Sequence, residues 1–94
     1  MTNQDILAIE FESRDLFRKL TIKDYLKELL ITLWQEGEGF SGKRPFGNSG
    51  WQYDVYQPLI THGIVAGKLD EEGYIDECDT IAAEKRVLEL IASL

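Results

Sequence analysis

The chain holds one cysteine and one histidine, and these two scarcities remove most of the chemistry open to a small protein. With Cys78 alone, an intramolecular disulfide is excluded. Cys78 and His62 have no second cysteine or histidine with which to build a zinc site. Neither lies in a recognisable nucleophile signature, so both are read as structural. No catalytic residue, metal ligand or cofactor site is expected, and the chain is read as a non-enzyme. No apolar run approaches the length that spans a bilayer. The opening MTNQDILAIEFE carries early acids and no basic leader, so no signal peptide and a cytoplasmic location are expected. Bases are short as well: ten Lys and Arg stand against seventeen Asp and Glu, a formal charge of −7. That balance disfavours direct nucleic-acid binding, which is driven by neutralising phosphates.

What remains is an ordinary globular composition, 44% hydrophobic and 29% charged, read as a single domain over residues 1–94. The clearest element is a helix over about residues 22–36. Ile22, Tyr25, Leu26, Leu29, Leu30, Leu33 and Trp34 form one apolar face, Thr21 caps it with Asp24 three residues on, and Gly37 ends it. Upstream, Leu7, Ile9 and Phe11 alternate with polar or small residues as a strand would, while Leu7 and Phe11 also fit a helix. Helix is expected over about residues 3–19, with a break at Ser13 and with Leu16, Phe17 and Leu20 facing inward. Ser49 and Gln52 open a further helix that buries Trp51, Val55, Leu59 and Ile60 and ends at Gly63, with a kink or restart at Pro58. Residues 64–69, the DEEG turn and residues 74–76 read as a β-hairpin, with Gly73 supplying a positive φ. Asp79 or Thr80 caps a last helix whose buried side is Ala83, Val87, Leu88, Leu90, Ile91 and Leu94. The fold class expected is therefore mainly α (α+β): a small helical domain with one β-hairpin between the last two helices. Tyr25, Leu29, Leu33, Trp34, Val55, Leu59 and Leu88 are expected in the core.

The connection over residues 37–51 is unusual. It holds five glycines, a proline, the adjacent cations Lys43 and Arg44, and the rings of Phe40, Phe46 and Trp51. Connections this long are usually functional or disordered, and aromatics argue for order. Its glycines follow a helix and match neither GxGxxG nor GxxxxGK[ST], so a nucleotide site is not supported. The loop is read as an ordered platform whose candidate binding residues are Lys43, Arg44, Phe46, Asn48 and Trp51. A second candidate surface is the acidic run Asp70, Glu71, Glu72, Asp76, Glu77 and Asp79. It is not a calcium loop, because Gly73 is the fourth residue from Asp70 where an EF-hand needs its glycine sixth. Helix, turn, helix and hairpin also suggest a winged-helix DNA binder. Against that stand a connection far longer than the three or four residues of the DNA-binding motif and a second helix with no Lys or Arg.

The run DYLKELLITLWQEGEGFSGKRPFGNSGWQYDVYQPLI, continuing into GIVAGKLDEEGYID, resembles a group of small uncharacterised bacteriophage and prophage proteins. The likeness covers about residues 21–77 and centres on the GKRPFGNSGW-like loop. It implies a phage context and no catalysis. The expected function is a small interaction protein that binds a host or phage protein, or a second copy of itself, through the 37–51 loop. The alternative is an acidic mimic of nucleic acid that inhibits a host defence or nucleic-acid enzyme, and the third reading is the winged helix.

Overall fold

Thr2 opens the first helix, α1 (Asn3–Leu7), through a reciprocal cap. Its hydroxyl accepts from the Asp5 N–H and its own N–H donates to the Asp5 carboxylate, each at 3.1 Å. The bond from the Thr2 backbone, followed by that from its side chain, holds the Asp5 carboxyl below the ordinary range. The chain then forms β1 (Glu10–Ser13) and β2 (Arg18–Thr21), an antiparallel pair with Phe11 opposite Leu20. This computed structural model describes residues 1–35 and 51–94, with the side chains of residues 32–35 and 51–52 left outside the description.

The early hairpin corrects the expected fold class. Residues 10–13 and 18–21 are strands, not helix, so the described residues carry two hairpins rather than one between the last two helices. The reason lies in period and in tertiary reward. Glu10 and Glu12 face outward while Phe11 and Ser13 are buried, a period of two that no helix can present. Phe11 then meets Tyr25 edge to face, with ring centroids 5.4 Å apart. Ser13 caps no helix; its hydroxyl accepts from the Leu16 N–H inside the turn. Phe17, expected inward, points out and is 92% exposed.

The Thr21 hydroxyl accepts from the Asp24 N–H at 3.1 Å and starts α2 (Ile22–Gln35), which buries Ile22, Tyr25, Leu26 and Leu29. The side chains of Leu33 and Trp34, both expected in the core, lie outside the described residues. The third helix, α3 (Trp51–Thr61), continues through the buried Pro58, where a kink or restart was expected. It ends in a Schellman turn. Gly63 at φ 70° donates to the Ile60 carbonyl, and Ile64 donates to that of Leu59. The second hairpin, β3 (Gly67–Leu69) and β4 (Ile75–Cys78), has its bulge between Lys68 and Leu69 and a positive φ at Gly73. Asp79 accepts from the Ala82 N–H and caps α4 (Thr80–Ala92), which buries Ala83, Val87 and Leu90; Leu88 is only partly buried and Leu94 is 39% exposed.

The helices share one core with Phe11, Leu20 and Val65, centred on Tyr25, Leu29, Val55 and Leu59. Each fully buried leucine there contributes about 1.5–3 kcal/mol. The first hairpin packs on α2 and α3, and the second on α3, so α3 is the element that brings the two hairpins together. Asn3 and Gln4 donate to Ser93, joining α1 to the end of α4.

Candidate functional site

A buried carboxylate organises the region between the hairpins. Asp54, on the inner side of α3, is 9% exposed. It accepts the Ser13 hydroxyl, the Arg14 N–H at 3.0 Å and the Asp15 N–H at 3.4 Å. The Tyr25 phenol adds a fourth bond. Burial pushes that phenol above the ordinary tyrosine range, and the charges of Asp54 and Asp15 push it further, so it remains a proton donor. All four donors are neutral, and no cation among the described residues forms an ion pair with Asp54. The bonds from Ser13, Arg14 and Asp15 instead clamp the β1–β2 turn against α3, and the Tyr25 phenol reaches Asp54 from α2.

Two residues of that turn face outward because of the clamp. Phe17 takes a left-handed conformation, φ 55°, while its ring stands almost wholly in solvent. A bulky residue in that region is strained by roughly 1–2 kcal/mol. Nothing in the core requires a phenyl ring there. Arg14 crosses to the second hairpin, with its guanidinium carbon 3.9 Å from the centroid of the Tyr74 ring and Nη2 donating to the Glu72 carbonyl. Gly73 permits this crossing: a Cβ there would lie 2.8 Å from Arg14 Nη2.

Between the turn, α3 and the second hairpin lies a cleft of about 180 Å³, lined by Arg14, Asp15, Tyr53, Asp54, Gln57 and Tyr74, with Gly73 and Ile75 at its edge. Tyr53 and Tyr74 are 52% and 56% exposed. A larger depression adjoins it and is bordered by Phe17, Arg14, Arg18, Gln57 and Tyr74, with Glu12 and Ser13. The two form one face rich in tyrosine, phenylalanine and arginine, the side chains that dominate binding energy at protein interfaces. In the cleft wall, partial burial and then the Asp54 charge raise the Asp15 carboxyl above its ordinary value.

The residues singled out from the sequence fare differently. Lys43, Arg44, Phe46 and Asn48 lie outside the described residues, as does the side chain of Trp51. Of the acidic run, two members serve the backbone. Asp70 accepts from the N–H groups of Glu72 and Tyr74, and Asp79 caps α4. Glu71, Glu72, Asp76 and Glu77 are exposed, and none forms an ion pair among the described residues. The described surface of α3 offers Tyr53, Gln57 and Thr61, and its sequence has no Lys or Arg. Cys78 is partly packed against the core, and burial followed by the Asp79 charge raises its thiol. His62 is exposed just after α3.

Sequence reasoning missed Arg14, Phe17, Tyr53, Asp54 and Tyr74 as a group. One signal was available. Asp54 stands four residues before Pro58 and next to Val55, on the side of the helix that turns inward, where an acid needs partners. Among the described residues no helix is long and apolar enough to cross a membrane, and no group of three or more His, Cys, Asp or Glu is placed to hold a metal. No protein-family model, curated protein or solved structure matches this chain.

Proposed function

We propose that this is a non-catalytic binding protein whose partner is another protein, docked on the face formed by Arg14, Phe17, Tyr53, Gln57 and Tyr74. The observation that carries this reading is Phe17. A phenyl ring stands in water on a strained backbone conformation, in a turn whose Ser13, Arg14 and Asp15 all donate to the buried Asp54. Folding is not served by that arrangement, whereas an interface anchor needs a rigid, exposed ring. The GKRPFGNSGW-like resemblance supports a phage or prophage setting, with a host or phage protein, or a second copy of the chain, as the partner. Lys43, Arg44, Phe46, Asn48 and Trp51 are proposed as a second contact region of the same protein.

A second reading has its own observation. Glu71, Glu72, Asp76 and Glu77 are exposed on one hairpin, a spread of charge that would imitate phosphates before a nucleic-acid-binding protein. Affinity capture from nuclease-treated bacterial lysate separates the two, with wild type run beside three variants: Phe17→Gly, a Lys43/Arg44 double alanine, and the four acids replaced by amides. Loss of a stoichiometric partner with Phe17→Gly alone supports the aromatic face. Loss with the amide variant alone supports mimicry, and loss with the double alanine alone moves the site to the 37–51 loop. A partner retained by Phe17→Gly sinks the first reading.

A further inference from the structure

The cleft carries an imbalance of charge. Its lining contains two carboxylates, Asp15 and Asp54, and one cation, Arg14. Arg14 does not neutralise either acid: its guanidinium lies on the Tyr74 ring and donates to the Glu72 carbonyl, and it forms no ion pair with Asp15 or Asp54. Among the described residues, Asp54 is compensated only by neutral donors, and Asp15 has no hydrogen bond from a cationic side chain. Above the acids stand two half-exposed tyrosines and the Gln57 amide. Tyrosine faces attract a cation, and low-dielectric walls concentrate the field of the carboxylates. The hairpin that supplies Gly73, Tyr74 and Ile75 to the lining also carries the exposed Glu71, Glu72 and Asp76 on either side of them in sequence, which adds negative charge near the cleft.

We propose that this cleft receives an arginine side chain of the protein partner, with Asp15 as its counter-charge and Tyr53 as its stacking wall. The inference rests on reading this face as a protein-binding surface, and adds that the docking patch on the partner is basic. Arginine suits the site better than lysine. Its planar guanidinium stacks on a ring, as Arg14 already does on Tyr74, and it loses less hydration than an ammonium. Gln57 offers an amide oxygen for a remaining guanidinium N–H.

The probe is N-acetyl-arginine amide, titrated into isotope-labelled protein at low salt and followed by amide and tyrosine-ring chemical shifts. Its neutral isostere N-acetyl-citrulline amide runs alongside. Saturable shifts are expected at Tyr53, Gln57, Gly73 and Tyr74, with a dissociation constant on the order of millimolar for one side chain. Citrulline should bind at least about tenfold more weakly, and Asp15→Asn should weaken the arginine probe about fivefold. A Glu71→Gln/Glu72→Gln double variant should keep the localised shifts, since neither side chain lines the cleft. Equal response to citrulline, shifts that do not saturate, or an affinity indifferent to both Asp15→Asn and Tyr53→Ala would overturn the inference. If the cleft ignores arginine while Phe17→Gly still loses its captured partner, this inference falls and the protein-binding reading stands. If arginine binds as expected while capture is unchanged by Phe17→Gly, the cleft assignment stands and the aromatic-face reading falls.

Discussion

At the scale of single residues, Asp54 and Phe17 do opposite things for stability. Asp54→Ala removes a carboxylate and leaves the Ser13 hydroxyl and two turn N–H groups without their acceptor. We expect a loss of roughly 3 kcal/mol, read from urea unfolding, because buried donors are costly to strand. Phe17→Gly should do the reverse. It relieves the strain at φ 55° and removes a ring that is 92% exposed, so unfolding should show stability unchanged or higher by about 1 kcal/mol. A clear loss of stability in that variant would show the ring to be structural. Asp15 has a predictable pH signature. Its folded-state carboxyl is raised, so the folded protein holds this proton more tightly than the unfolded chain. The stabilisation from that proton is complete below the ordinary value near 3.8 and is lost as pH rises through the folded value. Asp15→Asn should therefore melt at a higher temperature than wild type at neutral pH, and the two curves should converge in acid. A cleft acid that costs stability and assists binding is what a site selected for recognition would contain.

Among the elements, the second hairpin depends on glycine at one place above all. A Cβ on Gly67 would collide with the Glu77 carbonyl across the strand pair and press on Ile60 of α3. Gly67→Ala should loosen β3–β4 from α3, with amide exchange accelerating over residues 67–78 while α1, α2 and α4 keep their protection. The elements also show what was readable beforehand. Helix α2, the cap of α4 at Asp79, the helix end at Gly63 and the positive φ of Gly73 each follow from a local rule, since the residue that forms the feature also signals it. The first hairpin does not. Leu7, Ile9 and Phe11 follow a period of two, Leu7 and Phe11 also fit a period near four, and the tie is broken by Tyr25 and Asp54, which are distant in sequence. The candidate site was hidden for the same reason: its cleft is assembled from three segments, and none of the three carries a motif alone. The 37–51 connection stood out through composition, a property that needs no folding partner to be noticed.

For the whole molecule, the charge of −7 is not evenly spent. Arg18, Lys19 and Arg86 are held in ion pairs with Glu28, Glu10 and Glu89, all of them exposed enough to be screened and worth little. Among the described residues the acids of the second hairpin have no such partners, so their charge stays open to an approaching molecule. If a basic partner docks beside them, its association rate should fall steeply as ionic strength rises while dissociation changes little. Stopped-flow binding at several salt concentrations, once a partner is in hand, checks this. A rate that does not respond to salt would mean that the negative surface takes no part in recognition.

The four bonds to Asp54 also bear on timing. The walls of the cleft come from Arg14 and Asp15, from Tyr53 to Gln57, and from Gly73 to Ile75. During synthesis the complete recess cannot form until Ile75 has cleared the ribosome, and the early hairpin must wait, its inward serine and turn amides bonded to water, for a helix made much later. The core closes later still, because Ala83, Val87 and Leu90 of α4 belong to it, so the recess is held in place only once nearly the whole chain is out. If the recess is the binding site proposed above, an incomplete or half-unfolded copy would compete poorly for the partner.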